Sequence, residues 1–246
     1  MPSSSHAPRK RFGQHFLHDP YVLEKIVAAI QPGKDDCIVE IGPGEGALTD
    51  LLAAKSGNLE VVEIDRDLAA RLADRKIKVH VGDALKFDFS VFPRGVRIVG
   101  NLPYNISTPL LFHLARYADR VRDMHFMLQL EVVERMVAAP STPAYGRLSV
   151  ALQSRFRMQK LFRVSKGAFR PPPKVESALV RLAPLEAPLA VDDDVLRRAF
   201  SARRKTLRNA LPGVDFAALG IDAGLRPENL APADYARIAE ITRRRP

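Results

Sequence analysis

Asn101-Leu102-Pro103-Tyr104 places an amide, a rigid turn and an aromatic ring within four residues. The side-chain oxygen of Asn101 and the backbone carbonyl of Leu102 are acceptors, Pro103 fixes the turn, and Tyr104 offers a flat face for a base taken out of its stack. That set suits one awkward nucleophile, the exocyclic amine of adenine, whose lone pair is delocalised into its ring. The amine is too weak an acid for a general base to be the remedy. Acceptors that hold its N–H bonds instead favour a more tetrahedral nitrogen and stabilise the positive charge that develops during attack. Seen alone, the four residues could equally be an ordinary turn, so their meaning rests on what precedes them.

Glu40-Ile41-Gly42-Pro43-Gly44-Glu45-Gly46 is a glycine-rich turn of the kind that lets backbone approach a ligand closely. Its spacing also fits a dinucleotide fingerprint with Ala47 in the last position, so the turn by itself leaves nicotinamide cofactors open. Glu63 ends the next apolar run, about twenty residues on, where a carboxylate can accept both hydroxyl hydrogens of a ribose. Asp83, in Gly82-Asp83-Ala84, can accept from an adenine amino group. Together these acceptors describe an adenosine-containing cofactor without specifying its reactive part.

The elements that must position these residues are legible as alternating patterns. Cys37–Ile41, Leu59–Ile64, Ile77–Val81, Val96–Gly100 and Met124–Gln129 are short apolar runs expected to be buried strands. Tyr21–Ile30, Ala47–Ala54, Arg66–Arg75 and Pro109–Tyr117 have helical spacing between them. Such alternation predicts an α/β fold, a doubly wound Rossmann-like parallel sheet. Strands near Met158–Phe162 and Ala178–Ala183 are expected as an antiparallel pair at one edge. Asp192–Asp194 should cap a helix starting at Val195, and Arg203–Leu211 and Ala233–Thr242 are helical in pattern. The domain boundary is placed at residue 186, with a catalytic domain over 1–186 and a small helical domain over 187–246.

The net charge of +10, from 38 Lys and Arg against 28 Asp and Glu, favours a polyanionic partner. Its distribution sharpens the point: residues 155–174 hold seven basic side chains and no acid, and Arg203-Arg204-Lys205 begins a second cluster on a predicted helix. The six histidines have no paired ligand spacing, so no metal site is expected. The single cysteine, Cys37, reads as a buried strand thiol, and this usage fits a reducing cytoplasm. No apolar run reaches membrane-spanning length, and the lead-in over residues 1–16 lacks the apolar centre of a secretory signal.

Taken in order, these motifs resemble the small-subunit ribosomal RNA adenine N6-dimethyltransferase family of the KsgA type. The resemblance runs from Arg11-Phe12-Gly13-Gln14-His15-Phe16-Leu17 through the glycine turn, Glu63, Asp83 and Asn101–Thr108. It continues to Phe169-Arg170-Pro171-Pro172-Pro173-Lys174-Val175-Glu176-Ser177 and the basic stretch Phe200–Leu211. It implies S-adenosyl-L-methionine as cofactor, S-adenosyl-L-homocysteine as product and no metal. It also implies that His15 and Leu17 contact the cofactor, that Gly42 lies against its methionine part, and that Glu63 and Asp83 take ribose and adenine. Many relatives carry Asn where His15 stands. Phe169 would be a second aromatic face at the target base. The implied substrate is two adjacent adenosines in the 3′-terminal hairpin loop of small-subunit rRNA, each dimethylated on N6. The implied partner is the immature small ribosomal subunit, met by a cytoplasmic, monomeric protein with the helical domain helping to grip RNA.

Macrolide-resistance methyltransferases of large-subunit rRNA resemble the same catalytic motifs, so Asn101–Tyr104 does not exclude them; Phe169–Ser177 and the later basic stretch favour the small-subunit family. A non-catalytic RNA-binding assembly factor of related fold is the other alternative, against which the intact set Glu63, Asp83, Asn101 and Tyr104 argues.

Overall fold

The computed structural model describes residues 14–201 and 204–243. Arg11–Gly13, most of the lead-in and Arg203 therefore lie outside the described residues. The chain forms two compact units, one of residues 1–133 and 159–183, the other of 134–158 and 184–246. The boundary expected at 186 is close to the crossing at 183/184, but residues 134–158 belong to the second unit and not to the first. The reason is packing across sequence: a helix in that segment buries Val150, Ala151 and Leu152 and touches helices from beyond residue 190.

The first unit begins with β1 (Phe16–Leu17), α1 (Pro20–Ile30), β2 (Cys37–Ile41), α2 (Ala47–Ala53), β3 (Asn58–Glu63), α3 (Arg66–Asp74) and β4 (Lys78–Val81). It goes on with β5 (Val96–Asn101), α4 (Ser107–Leu114), β6 (Val121–Gln129) and the start of α5 (Leu130–Met136). After α6 (Arg147–Gln153) in the second unit, β7 (Phe156–Val164), β8 (Phe169–Arg170) and β9 (Ser177–Pro184) return to it. Local chemistry sets the ends of these elements. Asp19 caps α1 by accepting from the Val22 amide at 3.2 Å, Pro20 opens the helix, and Gln31 ends it in the left-handed region at φ 52°. The apolar stripe Leu23, Ile26, Val27 and Ile30 then packs with Ile38, Val99 and Met127 of the sheet.

The main sheet runs β4-β3-β2-β5-β6-β9-β7. Its first five strands are parallel and β9 is antiparallel to β6. β2 has β3 on one side and β5 on the other, so the loops leaving their carboxyl ends part and open a crevice, as in other doubly wound sheets. The expected edge pair is present as neighbours, β9 and β7. Cys37, at the start of β2, is half-buried, not fully buried as expected, and burial together with the nearby Glu60 carboxylate pushes its thiol up.

The opposite end of the sheet is fastened by charge. Arg97 on β5 is 4% exposed and reaches Asp123 of β6 through Nε at 2.8 Å and Nη2 at 3.0 Å. It also donates to Asp36, just before β2, at 2.8 Å and to the carbonyls of Ile30 and Gln31 at the end of α1. One guanidinium thus ties three adjacent strands and a helix below the crevice.

The second unit packs α6 with α7 (Asp193–Ser201) and α9 (Pro232–Arg243), with α8 (Leu207–Ala210) against α7. Asp192 caps α7, taking the amides of Asp194 at 2.8 Å and Val195 at 3.1 Å, so the helix starts earlier than Val195. The buried phenols of Tyr145 and Tyr235 donate to the carbonyls of Leu230 and Pro227. The basic stretch expected to be helical over Arg203–Leu211 is not continuous among the described residues: residues 204–206 are non-helical, with Thr206 in extended backbone, and α8 starts only at Leu207.

Replacing Arg97 by Met should lower stability by about 3 kcal/mol, because it leaves the buried Asp123 to the longer Arg181 contact at 3.3 Å and takes one of two guanidinium partners from Asp36. A melting temperature lowered on the order of 10 °C is the expected outcome, and an unchanged one would refute the anchoring role.

Candidate active site

A cavity of about 340 Å³ opens at the carboxyl edge of the parallel strands. Every residue expected at the site borders it except Phe169. Gly42, Gly44 and Gly46 all hold positive φ, 65°, 60° and 88°, a conformation that side-chain-bearing residues rarely adopt. At Gly44 there is a second constraint: a Cβ would meet the Phe16 ring at 2.8 Å. The glycine turn therefore lets β1 lie over it, and β1 with the residue before it supplies Leu17 and His15 to the cavity wall.

Glu63 ends β3 and is 4% exposed. Its Oε1 accepts from the Asp65 amide at 2.8 Å and its Oε2 from the Gly44 amide at 3.4 Å. Burial pushes its pKa up while these backbone donors oppose the shift. A carboxylate offers about four lone-pair sites, so acceptor capacity remains for a ribose hydroxyl. Asp83, after β4, uses Oδ1 to accept from the Leu85 amide at 2.9 Å, leaving Oδ2 for an amino group. These two acceptors and the glycine turn fit the adenosine half of an adenosine-containing cofactor.

The glycine motif includes Glu40 without assigning it a role. Glu40 is 2% exposed, borders the cavity and accepts from Thr49 Oγ1 at 2.6 Å. Burial, with the Glu63 and Asp50 charges adding, pushes its pKa up to about 7 despite the Thr49 hydrogen bond. The signal was present as an acid inside the apolar strand Cys37-Ile38-Val39-Glu40-Ile41, since a buried carboxylate is rare without a task.

Asn101 is the last residue of β5. Its Nδ2 donates to the His15 carbonyl at 2.8 Å. A carbonyl can only accept, so the nitrogen end of the amide must face it, and Oδ1 is the end left for a ligand. Leu102 is 1% exposed, with its amide on the Met127 carbonyl at 3.2 Å, which leaves its backbone carbonyl as the acceptor the sequence assigned. The Tyr104 ring stacks on His15, with centroids 5.5 Å apart and planes 28° apart, and its hydroxyl lies 2.6 Å from Ser177 Oγ. His15 Nδ1 lies 2.7 Å from the Pro171 carbonyl, so it carries the proton there. His15 thus contacts the Asn101 turn and the proline segment at once.

Phe169 stands elsewhere. β8 pairs antiparallel with β1, with Leu17 opposite Phe169. Strand alternation turns Phe169 into the core and Arg170 outward, and Phe169, 2% exposed, packs with Leu17, Leu23, Val164 and Ala168. The ring beside Tyr104 is the His15 imidazole instead. Basic side chains of the 155–174 run, among them Arg163, Lys166, Arg170 and Lys174, are exposed. Among the described residues no group of three or more His, Cys, Asp or Glu could hold a metal, and no helix is long and apolar enough to cross a membrane.

The family model for ribosomal RNA adenine dimethylase matches residues 5–244. The ribosomal RNA small subunit methyltransferase A of Aromatoleum aromaticum is 59% identical over 96% of this chain and 94% of that protein. Its counterpart in Chromobacterium violaceum is 57% identical over 96% of each. Among solved structures, a dimethyladenosine transferase from Plasmodium falciparum superposes with a TM-score of 0.80 at 27% identity, over 93% of this chain and 98% of that one. The 23S rRNA methyltransferase ErmE gives 0.69 at 26% identity, over 92% and 98%. With the glycine turn, the two strand-end carboxylates and the Asn101 turn around one cavity, and a family match across nearly its whole length, this chain belongs to the ribosomal RNA adenine dimethylase family.

Proposed function

We propose that this protein dimethylates N6 of two adjacent adenosines in the 3′-terminal hairpin loop of small-subunit rRNA, acting on the immature small subunit in the cytoplasm. The observation that carries the reading is the Asn101 amide, turned by the His15 carbonyl so that its oxygen is the free end in the cavity. When bound, S-adenosyl-L-methionine supplies an electrophilic methyl group on a sulfonium. Glu63 holds the ribose and Asp83 the adenine, with Leu17 and the His15 backbone closing over them. Gly42 and Glu40 lie at the methionine end, where the Glu40 carboxylate meets positive charge. Tyr104 receives the flipped target base on its ring. Asn101 Oδ1 and the Leu102 carbonyl hold the two N–H bonds of the amine; the nitrogen that has gained the first methyl sheds one proton to solvent, and one of the two contacts goes with it. A monomethylated amine keeps one N–H, so one acceptor contact still orients the second transfer. Phe169 supports this site from the core by fixing the strand that carries Leu17. The exposed basic side chains near β7 and β8 grip phosphates.

The likeness to ErmE favours one specific alternative, a large-subunit substrate. Tritium transfer from labelled cofactor to unmodified small and large subunits, followed by nucleoside analysis, separates the two. N6,N6-dimethyladenosine should appear in the small subunit, and label confined to the large subunit would reverse the assignment.

Asn101→Ala should keep cofactor binding and lose about tenfold to a thousandfold in transfer rate, as for a transition-state hydrogen bond. Unimpaired transfer would remove Asn101 from the mechanism. Glu40 gives a pH prediction. Burial pushes the free carboxyl up to about 7, and a cationic ligand end beside it draws that value down, so binding should release a proton. Affinity for S-adenosyl-L-methionine should therefore fall as pH drops through about 7 and level off above it, with the slope abolished in Glu40→Gln. Calorimetric titration across pH checks this, and identical slopes in the two proteins would contradict it.

A further inference from the structure

Ser177 closes the Phe169–Ser177 motif, is fully buried, and has no part in the chemistry above. We infer that Ser177 is a positioning residue for the reaction: its hydroxyl pins the tip of the Tyr104 side chain so that the ring is already oriented when the target base arrives. This rests on the reading of Tyr104 as the base platform.

The placement follows from topology. β9 runs antiparallel to β6, so its first residue lies at the same sheet edge as the last residue of β6, with Ser177 opposite Gln129. Because the strand order is β5-β6-β9, the turn after β5 reaches across the end of β6 to meet it. Ser177 is thus held by the sheet, while Tyr104 sits in an irregular turn. Three contacts restrain that tyrosine: its carbonyl accepts from Ser107 Oγ at 3.0 Å, its ring stacks on His15, and its hydroxyl meets Ser177 at 2.6 Å. A tyrosine has two principal side-chain torsions, and fixing both ends and one face leaves neither free. A base stacking on a fixed ring loses less entropy than one that must also order the ring.

The hydroxyl has no other evident task. A phenol is not needed as a base toward an amine this weakly acidic, and burial pushes the Tyr104 pKa up, keeping it protonated at neutral pH. The bland alternative is that the bond only stabilises the fold. The two readings differ in what the bond's loss changes.

Ser177→Ala, Tyr104→Phe and the double variant, each as the full chain, test the inference on unmodified small subunits. The bond removed is worth about three- to tenfold in kcat/KM for RNA in each single variant, with cofactor affinity unchanged. The double variant should be no worse than either single one, because both remove the same bond. RNA carrying 2-aminopurine at the target position should be quenched less by the variants than by the wild type. Tyr104→Phe keeps the ring and spares the buried serine, so it carries the test even if Ser177→Ala folds poorly. Unchanged kcat/KM in Tyr104→Phe, losses that add in the double variant, or a fall in thermal stability alone would overturn the inference. Wild-type protein that transfers no methyl to RNA would overturn the parent reading and this one with it, whereas active wild type with unimpaired variants overturns this one alone.

Discussion

The contact on which the site depends is the hydrogen bond from Asn101 Nδ2 to the His15 carbonyl. An amide has a donor end and an acceptor end of nearly the same shape, and only the partner decides which faces the ligand. Here the partner is the backbone carbonyl of the residue just before β1, 86 residues away in sequence. β1 must lie over the glycine turn, which requires Gly44 to lack a side chain against Phe16. β1 must also be held from its other edge, which β8 does through Leu17 opposite Phe169 and through the His18 amide on the Ala168 carbonyl at 3.0 Å.

The sheet separates anchoring from chemistry. At the amino ends of β2, β5 and β6, Arg97 collects Asp36 and Asp123 into a buried ion network. At the carboxyl ends, buried acids are left only partly satisfied. Glu40 and Glu63 are pushed up by burial, whereas at Asp36 burial is outweighed by the Gly33 amide and the Arg97 and Arg122 guanidiniums, which pull it down. Carboxylates with unmet demand lie where a cationic, hydroxyl-bearing ligand can meet it, and fully paired ones lie where stability is required.

Much of this was legible in the residues. Alternating apolar runs placed β2 to its observed ends and β3 to β6 within a few residues, because strands covered on both faces carry little ambiguity. The strand-end acids and the Asn101 turn were readable because each follows a strand, and parallel strands deliver their ends to one edge. What was not legible depended on contacts between distant segments. Phe169 was assigned to the base, yet its pairing with Leu17 turns it into the core. The grouping of residues 134–158 with the C-terminal helices has no local signature, and neither does the break between α7 and α8 in a stretch of helical composition. His15 could be placed near the cofactor only by family resemblance. Its contacts to Asn101, Tyr104 and Pro171 required the fold.

The most direct test of the account is a crystal structure of this protein with S-adenosyl-L-homocysteine and a short RNA containing the target adenosine. Asn101 Oδ1 should lie about 3 Å from the adenine N6, with Nδ2 still on the His15 carbonyl. An amide turned with Nδ2 toward the base, or an N6 held by other acceptors with Asn101 out of reach, would contradict it.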